Sequence, residues 1–318
     1  MTETVECATR GLSRRDALAA AGTLVGVGVS GCTTGRAGMG SVGVLSAGSL
    51  AGTFEEYVGP AFEEETGTAV HGEYYGTNAV MRMIEGRTKH PDVVVSADAT
   101  LLRDRLYGEF TDWDVEFATN TVGIGYNPET EIGRRLADGE PWYEVILDTD
   151  DGDVAIGDPN LDPLGYRAVQ AFELAEREHE LDGFKAELLS SVYEEPEEPQ
   201  MMAGVESGSR AAAIVYRNMA IDHGMPFVEF PDAYNFGSLA LADQYATVEF
   251  TTDEEGYTAE GRPVVYNATV LDDADEPDAG RALVRFLADN PDQLADAGLT
   301  VSDGVPNPNG PVPSEVIP

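Results

Sequence analysis

Lysine is nearly absent from this sequence. Of 19 basic residues in 318, only Lys89 and Lys185 are lysines, against 58 Asp and Glu, giving a formal net charge of −39. A nucleic-acid backbone needs a basic footprint, so this composition excludes nucleic acid as a partner. Cysteine is almost as scarce. Cys7 and Cys32 are too few for a disulfide framework or a thiolate metal centre. The four histidines, His71, His90, His179 and His223, show no metal-ligand spacing and no catalytic context. Neither a Gly-x-Ser-x-Gly elbow nor a His-Glu-x-x-His pair occurs, which leaves a secreted hydrolase without its usual marks. No apolar run is long enough for a membrane-spanning helix, and no internal repeat is present.

Carboxylates are what the sequence has in excess, and they are spread among apolar segments rather than gathered in an acidic tail. With 42% hydrophobic residues the chain can still build an ordinary core. Such a surface repels itself in dilute salt, and concentrated salt screens that repulsion. The composition therefore reads as that of a halophile's protein.

The amino-terminal segment reads as targeting, not fold. Ser13-Arg14-Arg15-Asp16-Ala17-Leu18 precedes a short, Gly-rich apolar stretch, and Val29-Ser30-Gly31 leads into Cys32. This is the pattern of a twin-arginine export signal ending in a lipidation site. We expect residues 1–31 to be removed, Cys32 to carry lipid, and residues 32–41 to form a tether. Removal takes away Arg10, Arg14 and Arg15 together with Glu3, Glu6 and Asp16, so the charge stays at −39. The expected location is the outer face of the cell membrane, held there through Cys32.

From residue 42 onward strands alternate with helices. Val42–Leu45 reads as a buried strand and residues 50–65 as a helix stopped by Gly67. Thr68–Tyr74 alternates as a strand, Thr77-Asn78 opens a helix to Glu85, and Val93–Val95 is a strand whose following helix is capped by Asp98. Further on the pattern predicts strands at 121–126, 153–156, 211–216 and 226–230, and helices at 164–178, 199–206, 278–288 and 291–297. This is an α/β pattern with parallel sheet units, whose ligands collect at the carboxyl ends of strands. We place one lobe at 42–117 plus 267–318 and a second at 118–266, joined by two crossing strands that make a hinge over a ligand cleft. No partner copy is needed for such a cleft, and a monomer is expected.

Anion capture is the chemistry these junctions suggest. Ala47-Gly48-Ser49-Leu50, Gly76-Thr77-Asn78 and Ser96-Ala97-Asp98 each join a strand to a helix start, where backbone N–H groups and the helix dipole favour negative charge. Ser49, Thr77 and Ser96 add hydroxyl donors, and Ala97 a backbone N–H. None of these loops contains Lys or Arg, so discrimination would rest on geometry and neutral donors.

Four segments carry a resemblance. Val44–Leu50 (VLSAGSL), Pro91–Leu102 (PDVVVSADATLL), Asp158–Arg167 (DPNLDPLGYR) and Glu198–Gly208 with Ile214–Arg217 are similar to the archaeal molybdate/tungstate-binding proteins, over about residues 42 to 300. The resemblance implies a type II periplasmic-binding-protein fold, no enzymatic activity, no cofactor, and molybdate or tungstate as ligand. It also implies partners in an ABC permease and its ATPase. Ser49, Thr77 and Tyr216 match positions that donate to the oxyanion, with Thr77 where Ser is usual. Asp162 and Glu198 match the carboxylates that approach the metal and raise its coordination from four to six. Mo(VI) and W(VI) tolerate octahedral oxygen coordination, which sulfur in sulfate does not.

The same residues have plainer readings. Asp162 before Pro163 and Glu198 before Pro199 both stand where helix caps would stand. Tyr216 could be core, and Glu197 or Glu195 could replace Glu198 because the intervening stretch is short. Binding proteins of the same fold for sulfate, phosphate or ferric iron, and a surface lipoprotein with a degenerate cleft, remain as alternatives. A ferric site favours paired tyrosines, but adjacent Tyr74 and Tyr75 would point to opposite sides of a strand.

Overall fold

Among the described residues the longest helix is the sixteen-residue Pro163–Glu178, which packs against the second of two sheets that share a polypeptide crossing. The computed structural model describes residues 40–253, 256–301 and 304–317. The predicted export signal, Cys32 and most of the tether lie outside the described residues.

In chain order the first stretch is β1 (Ser41–Ala47), a helical run ending in α1 (Gly59–Thr66), β2 (Ala69–Tyr75), α2 (Thr77–Glu85), β3 (Val93–Ser96), α3 (Ala99–Leu106) and β4 (Asp114–Asn120). The middle stretch holds β5 (Val122–Tyr126), α4 (Glu131–Ala137), α5 (Trp142–Leu147), β6 (Val154–Gly157), α6 (Pro163–Glu178), α7 (Phe184–Ser191), β7 (Tyr193–Glu195), α8 (Glu198–Glu206), β8 (Ala212–Tyr216), α9 (Arg217–Asp222) and β9 (Phe227–Glu229). The last stretch adds α10 (Ala242–Tyr245), β10 (Glu249–Thr251), β11 (Thr258–Glu260), β12 (Val264–Val270), α11 (Pro277–Asp289), α12 (Pro291–Asp296) and β13 (Asn307–Asn309).

The first sheet runs β13-β4-β12-β3-β1-β2 and the second β7-β6-β8-β5-β9, with β10-β11 as a separate hairpin. β1 pairs in parallel with β2 and β3, while β12 lies antiparallel between β3 and β4. The Val93–Val95 run reads as continuous because both faces of β3 are covered. Val93 and Val95 join the cluster containing Leu283, Val284 and Leu287 of α11, and Val94 joins the cluster of α2 and α3. In the second lobe Trp142 packs among Phe172, Phe184 and Phe230 and donates through Nε1 to the Tyr234 hydroxyl at 3.0 Å.

Two features depart from the sequence reading. Residues 50–65 are not one regular helix: Gly48–Leu50 is a 3-10 turn and Thr53–Val58 a π turn before α1. Pro60 has no N–H for the carbonyl of Glu56, and the preceding Gly59 N–H reaches back five residues to Phe54. The crossing also falls later than expected. Ala118 and Asn120 still pair with Tyr266 and Val264 of β12 in the first sheet, so the chain leaves that sheet at Thr121. Among the described residues no helix is long and apolar enough to cross a membrane.

Candidate functional site

The three strand-to-helix junctions of the first lobe lie at the carboxyl ends of β1, β2 and β3, side by side in the sheet. Ser49 is buried, with its hydroxyl 3.2 Å from that of Tyr266 on β12. Thr77 is buried at the start of α2. Its side chain does not cap that helix; Oγ1 instead receives the Ala97 N–H at 3.2 Å. Ser96 spends its hydroxyl within its own turn, donating to the Asp98 carbonyl at 2.6 Å and receiving the Asp98 N–H at 2.9 Å. Among these groups, the Thr77 hydroxyl has a proton left to give, and the Ser49 hydroxyl shares with Tyr266 a hydrogen bond in which either oxygen can donate. The Ser96 hydroxyl and the Ala97 N–H, both expected as donors to a ligand, are engaged within the protein.

The second lobe brings carboxylates to the same place. Asp162 caps α6, Oδ1 receiving the Leu164 N–H at 2.9 Å, while Oδ2 is buried without a hydrogen-bond partner. Glu198 is the first residue of α8, and it caps nothing: both carboxyl oxygens are buried without a well-formed hydrogen bond, with the Asp162 carboxyl and the Ser49 backbone N–H as polar neighbours. The neighbouring Glu197 is exposed and bonded to Gln200, so Glu198 alone of this acidic stretch is turned inward. A Cβ on Gly48 would come within 2.0 Å of Glu198 Oε2, and one on Gly76 within 2.4 Å of the Leu161 carbonyl. Glycine at these two positions is what allows the second lobe to close this far onto the first.

Burial dominates the electrostatics. It pushes the Asp162 carboxyl up to about 6, against the Leu164 N–H that works the other way. Burial, then the proximity of Asp162, raises Glu198 well above the usual carboxylate range, and the Ser49 amide offsets only part of that. Burial likewise raises the Tyr216 and Tyr266 hydroxyls, so both remain neutral donors near neutral pH. Two facing carboxyls of this kind hold protons readily or else await a cationic centre.

Tyr216 ends β8 fully buried, and its hydroxyl accepts from Arg167 at 2.8 Å. Arg167, only 1% exposed, also donates to Asp98 Oδ2 at 3.0 Å and to the Ala97 carbonyl at 3.1 Å. Tyr166 adds a bond to Asp98 Oδ2 at 2.7 Å. Burial works against the Arg167 charge, but Tyr216, Asp98 and Tyr166 together outweigh it and raise its pKa. A site free of fixed positive charge was expected from the loops; the structure corrects this, because α6 delivers a guanidinium from the other lobe.

Three further residues were not apparent as site components. Asn120 Nδ2 donates to Asn218 Oδ1 at 2.8 Å and to the Tyr266 hydroxyl at 3.2 Å, and Asn218 Nδ2 donates to the Ser49 carbonyl at 2.6 Å. Local sequence carries no signal for Asn120, Asn218 or Tyr266. Arg167 did have one, since it stands in the Asp158–Arg167 segment beside Asp162. A recess of about 210 Å³, lined by Tyr74, Tyr75, Gly76, Leu161 and Pro199, leads to Glu198 from outside.

The model of the bacterial extracellular solute-binding proteins matches residues 42–299. A solute-binding protein of Halobacterium salinarum is 48% identical over 305 residues, covering 96% of this chain and 97% of its own. A molybdate/tungstate-binding protein of Thermococcus kodakarensis is 30% identical over 272 residues, 77% of each chain. Among solved structures, the periplasmic molybdate-binding protein of Azotobacter vinelandii superposes with a TM-score of 0.57 at 15% identity, covering 82% of this chain and all of that one. A sulfate-binding protein of Mycobacterium tuberculosis gives 0.55 at 15% identity, over 83% and 88% of the two chains. These two share the type II periplasmic-binding-protein fold with this chain. Proteins of this kind bind solutes and do not transform them. The chain belongs to the bacterial extracellular solute-binding protein family, together with the archaeal molybdate/tungstate-binding proteins.

Proposed function

We propose that this protein captures molybdate or tungstate between its lobes and delivers it to an ABC permease driven by its ATPase. The carrying observation is the trio of orphaned carboxyl oxygens, Asp162 Oδ2 and Glu198 Oε1 and Oε2, buried beside hydroxyl donors. A buried polar atom without a partner costs stability, so such a group is retained for something that completes it. Two carboxylates beside a dianion repel it unless they bind its central atom. Molybdenum(VI) and tungsten(VI) accept that extra oxygen coordination, with Ser49, Thr77 and Tyr216 donating to the oxo groups. The relatives' ligands support the same reading.

Sulfate is the second reading, favoured by one observation: the raised Asp162 and Glu198 carboxyls could stay protonated and donate to a sulfate oxygen. Export by the twin-arginine route and anchoring through Cys32 complete the proposal, since delivery requires the protein to sit beside its permease.

The test is a titration of the mature chain in concentrated salt with molybdate, tungstate and sulfate. At a hundredfold excess over Kd a ligand adds about 2.7 kcal/mol to native stability. For a chain of this size that raises Tm by about 5 °C. Molybdate and tungstate are expected to do this and sulfate not. An equal response to sulfate removes metal coordination from the reading.

A further inference from the structure

The hydrogen bonds beneath the site have a forced direction. Asn120 Oδ1 receives the Thr121 backbone N–H at 2.9 Å, and a backbone N–H can only donate. Asn218 Nδ2 gives to the Ser49 carbonyl at 2.6 Å, and a carbonyl can only accept. These two backbone anchors independently fix both amides, and they agree: Asn218 presents Oδ1 to Asn120 Nδ2 at 2.8 Å. The second hydrogen on Asn120 Nδ2 then goes to the Tyr266 oxygen at 3.2 Å. Tyr266 is fully buried, and Ser49 Oγ, 3.2 Å away, is the acceptor within reach of its proton among the described residues. Ser49 therefore receives, and its own proton is left over.

The other two hydroxyls follow the same rule. Thr77 Oγ1 receives from the Ala97 backbone N–H, and the Tyr216 oxygen from the Arg167 guanidinium, neither of which can accept. All three hydroxyls are thus fed by donors from behind, with their protons left over for a ligand. Successive hydrogen bonds in a dry interior polarise one another, so each feeding donor strengthens the hydroxyl in front of it.

Resting on the oxyanion reading above, we propose that Asn120 and Tyr266 are positioning residues that act through Ser49, fixing it as a donor and so selecting ligand oxygens that carry no proton. Neither residue need touch the ligand. Asn120 sits at the end of β4 and Tyr266 on β12, the two strands flanking the crossings between lobes, so the donor is set by the hinge itself.

A double-mutant cycle tests this, with tungstate and molybdate Kd measured by calorimetry and the Tm of the unliganded protein recorded for each variant. Tyr266→Phe is expected to weaken binding roughly tenfold in the wild-type background, the scale of one hydrogen bond to a charged group. In the Ser49→Ala background the same change should cost less than about twofold, because the group it acts through is gone. Asn120→Leu, which keeps the approximate shape and removes the Nδ2 donor without adding charge, serves as the second variant and should show the same dependence on Ser49. A purely structural role moves Tm and leaves the affinity losses additive with Ser49→Ala; additive losses overturn the proposal while leaving the oxyanion reading intact. If the wild-type chain binds no oxyanion, the oxyanion reading fails and this proposal fails with it.

Discussion

Glu198 shows how a single side chain can be costly to the fold and useful to the site. Its carboxyl is buried without a well-formed hydrogen bond, beside Asp162, whose Oδ2 alone is unpartnered, and burial raises both pKa values. A carboxyl whose folded pKa lies above its unfolded one stabilises the fold fully below the unfolded value, near 4, and loses that contribution as pH rises through the folded value. The unliganded protein should accordingly lose stability as pH climbs through about 6, where Asp162 ionises. Metal coordination needs both carboxylates ionised, so binding then releases protons and tungstate affinity should increase across the same window. Calorimetry in buffers of different ionisation enthalpy counts those protons. An affinity that falls with rising pH would identify the carboxyls as acids donating to the ligand, the sulfate-type arrangement.

Helix starts decide how closely the lobes can meet. Asp98 and Asp162 each cap the helix they precede, and each also does a second job. Asp98 Oδ2 receives Tyr166 and Arg167 across the lobe interface, and Asp162 leaves Oδ2 for the site. Gly76 lets the first turn of α2 touch Leu161, whose carbonyl receives the Ala79 N–H at 3.3 Å. A Gly76→Ala Cβ would meet backbone of the other lobe, which cannot rotate away as a side chain can. This variant should bind oxyanion at least tenfold more weakly, with an unliganded Tm within a few degrees of wild type, because an opened cleft relieves the clash. A larger radius of gyration with ligand present, by small-angle scattering, checks the cause. Parts of this level were legible in advance: the Val93–Val95 strand and both aspartate caps follow from local pattern. β4 was not recognised, because Asp114, Thr119 and Asn120 look like loop residues. They are buried only because Arg103, Thr300 and Asn218 come from elsewhere to satisfy them.

At the scale of the whole molecule, charge sets the conditions under which the fold persists. A net charge of −39 stores self-repulsion that screening relieves, and the Debye length falls from about 10 Å at 0.1 M salt to about 3 Å at 1 M. Tm should therefore rise by roughly ten degrees or more between 0.1 and 2 M KCl, with calorimetry or circular dichroism as the readout. A flat profile would show that the acidic surface is already neutralised by its own pairs. With 19 basic residues against 58 carboxylates, ion pairs leave most of that charge unbalanced even where one arginine serves two partners, as Arg103 does with Asp114 and Glu116 and Arg135 with Glu140 and Asp148.

Fold class and the candidate donors and carboxylates were legible in the sequence alone. Alternating strands and helices gave an α/β chain, Gly-Ser and Gly-Thr at strand ends gave helix-start donors, and Asp162 and Glu198 were visible as carboxylates before proline. These are local properties, encoded within a few residues of one another. Tertiary structure alone decided which of them face each other. It turned Glu198 inward and Glu197 outward, spent the Ser96 hydroxyl on its own turn, and brought Arg167 across from the other lobe. It also set the direction of the Ser49 proton through Tyr266 and Asn120, 217 residues away from Ser49 and 146 from Tyr266 respectively. Hydrogen-bond direction depends on which donors and acceptors become neighbours after folding, and no local pattern carries that information.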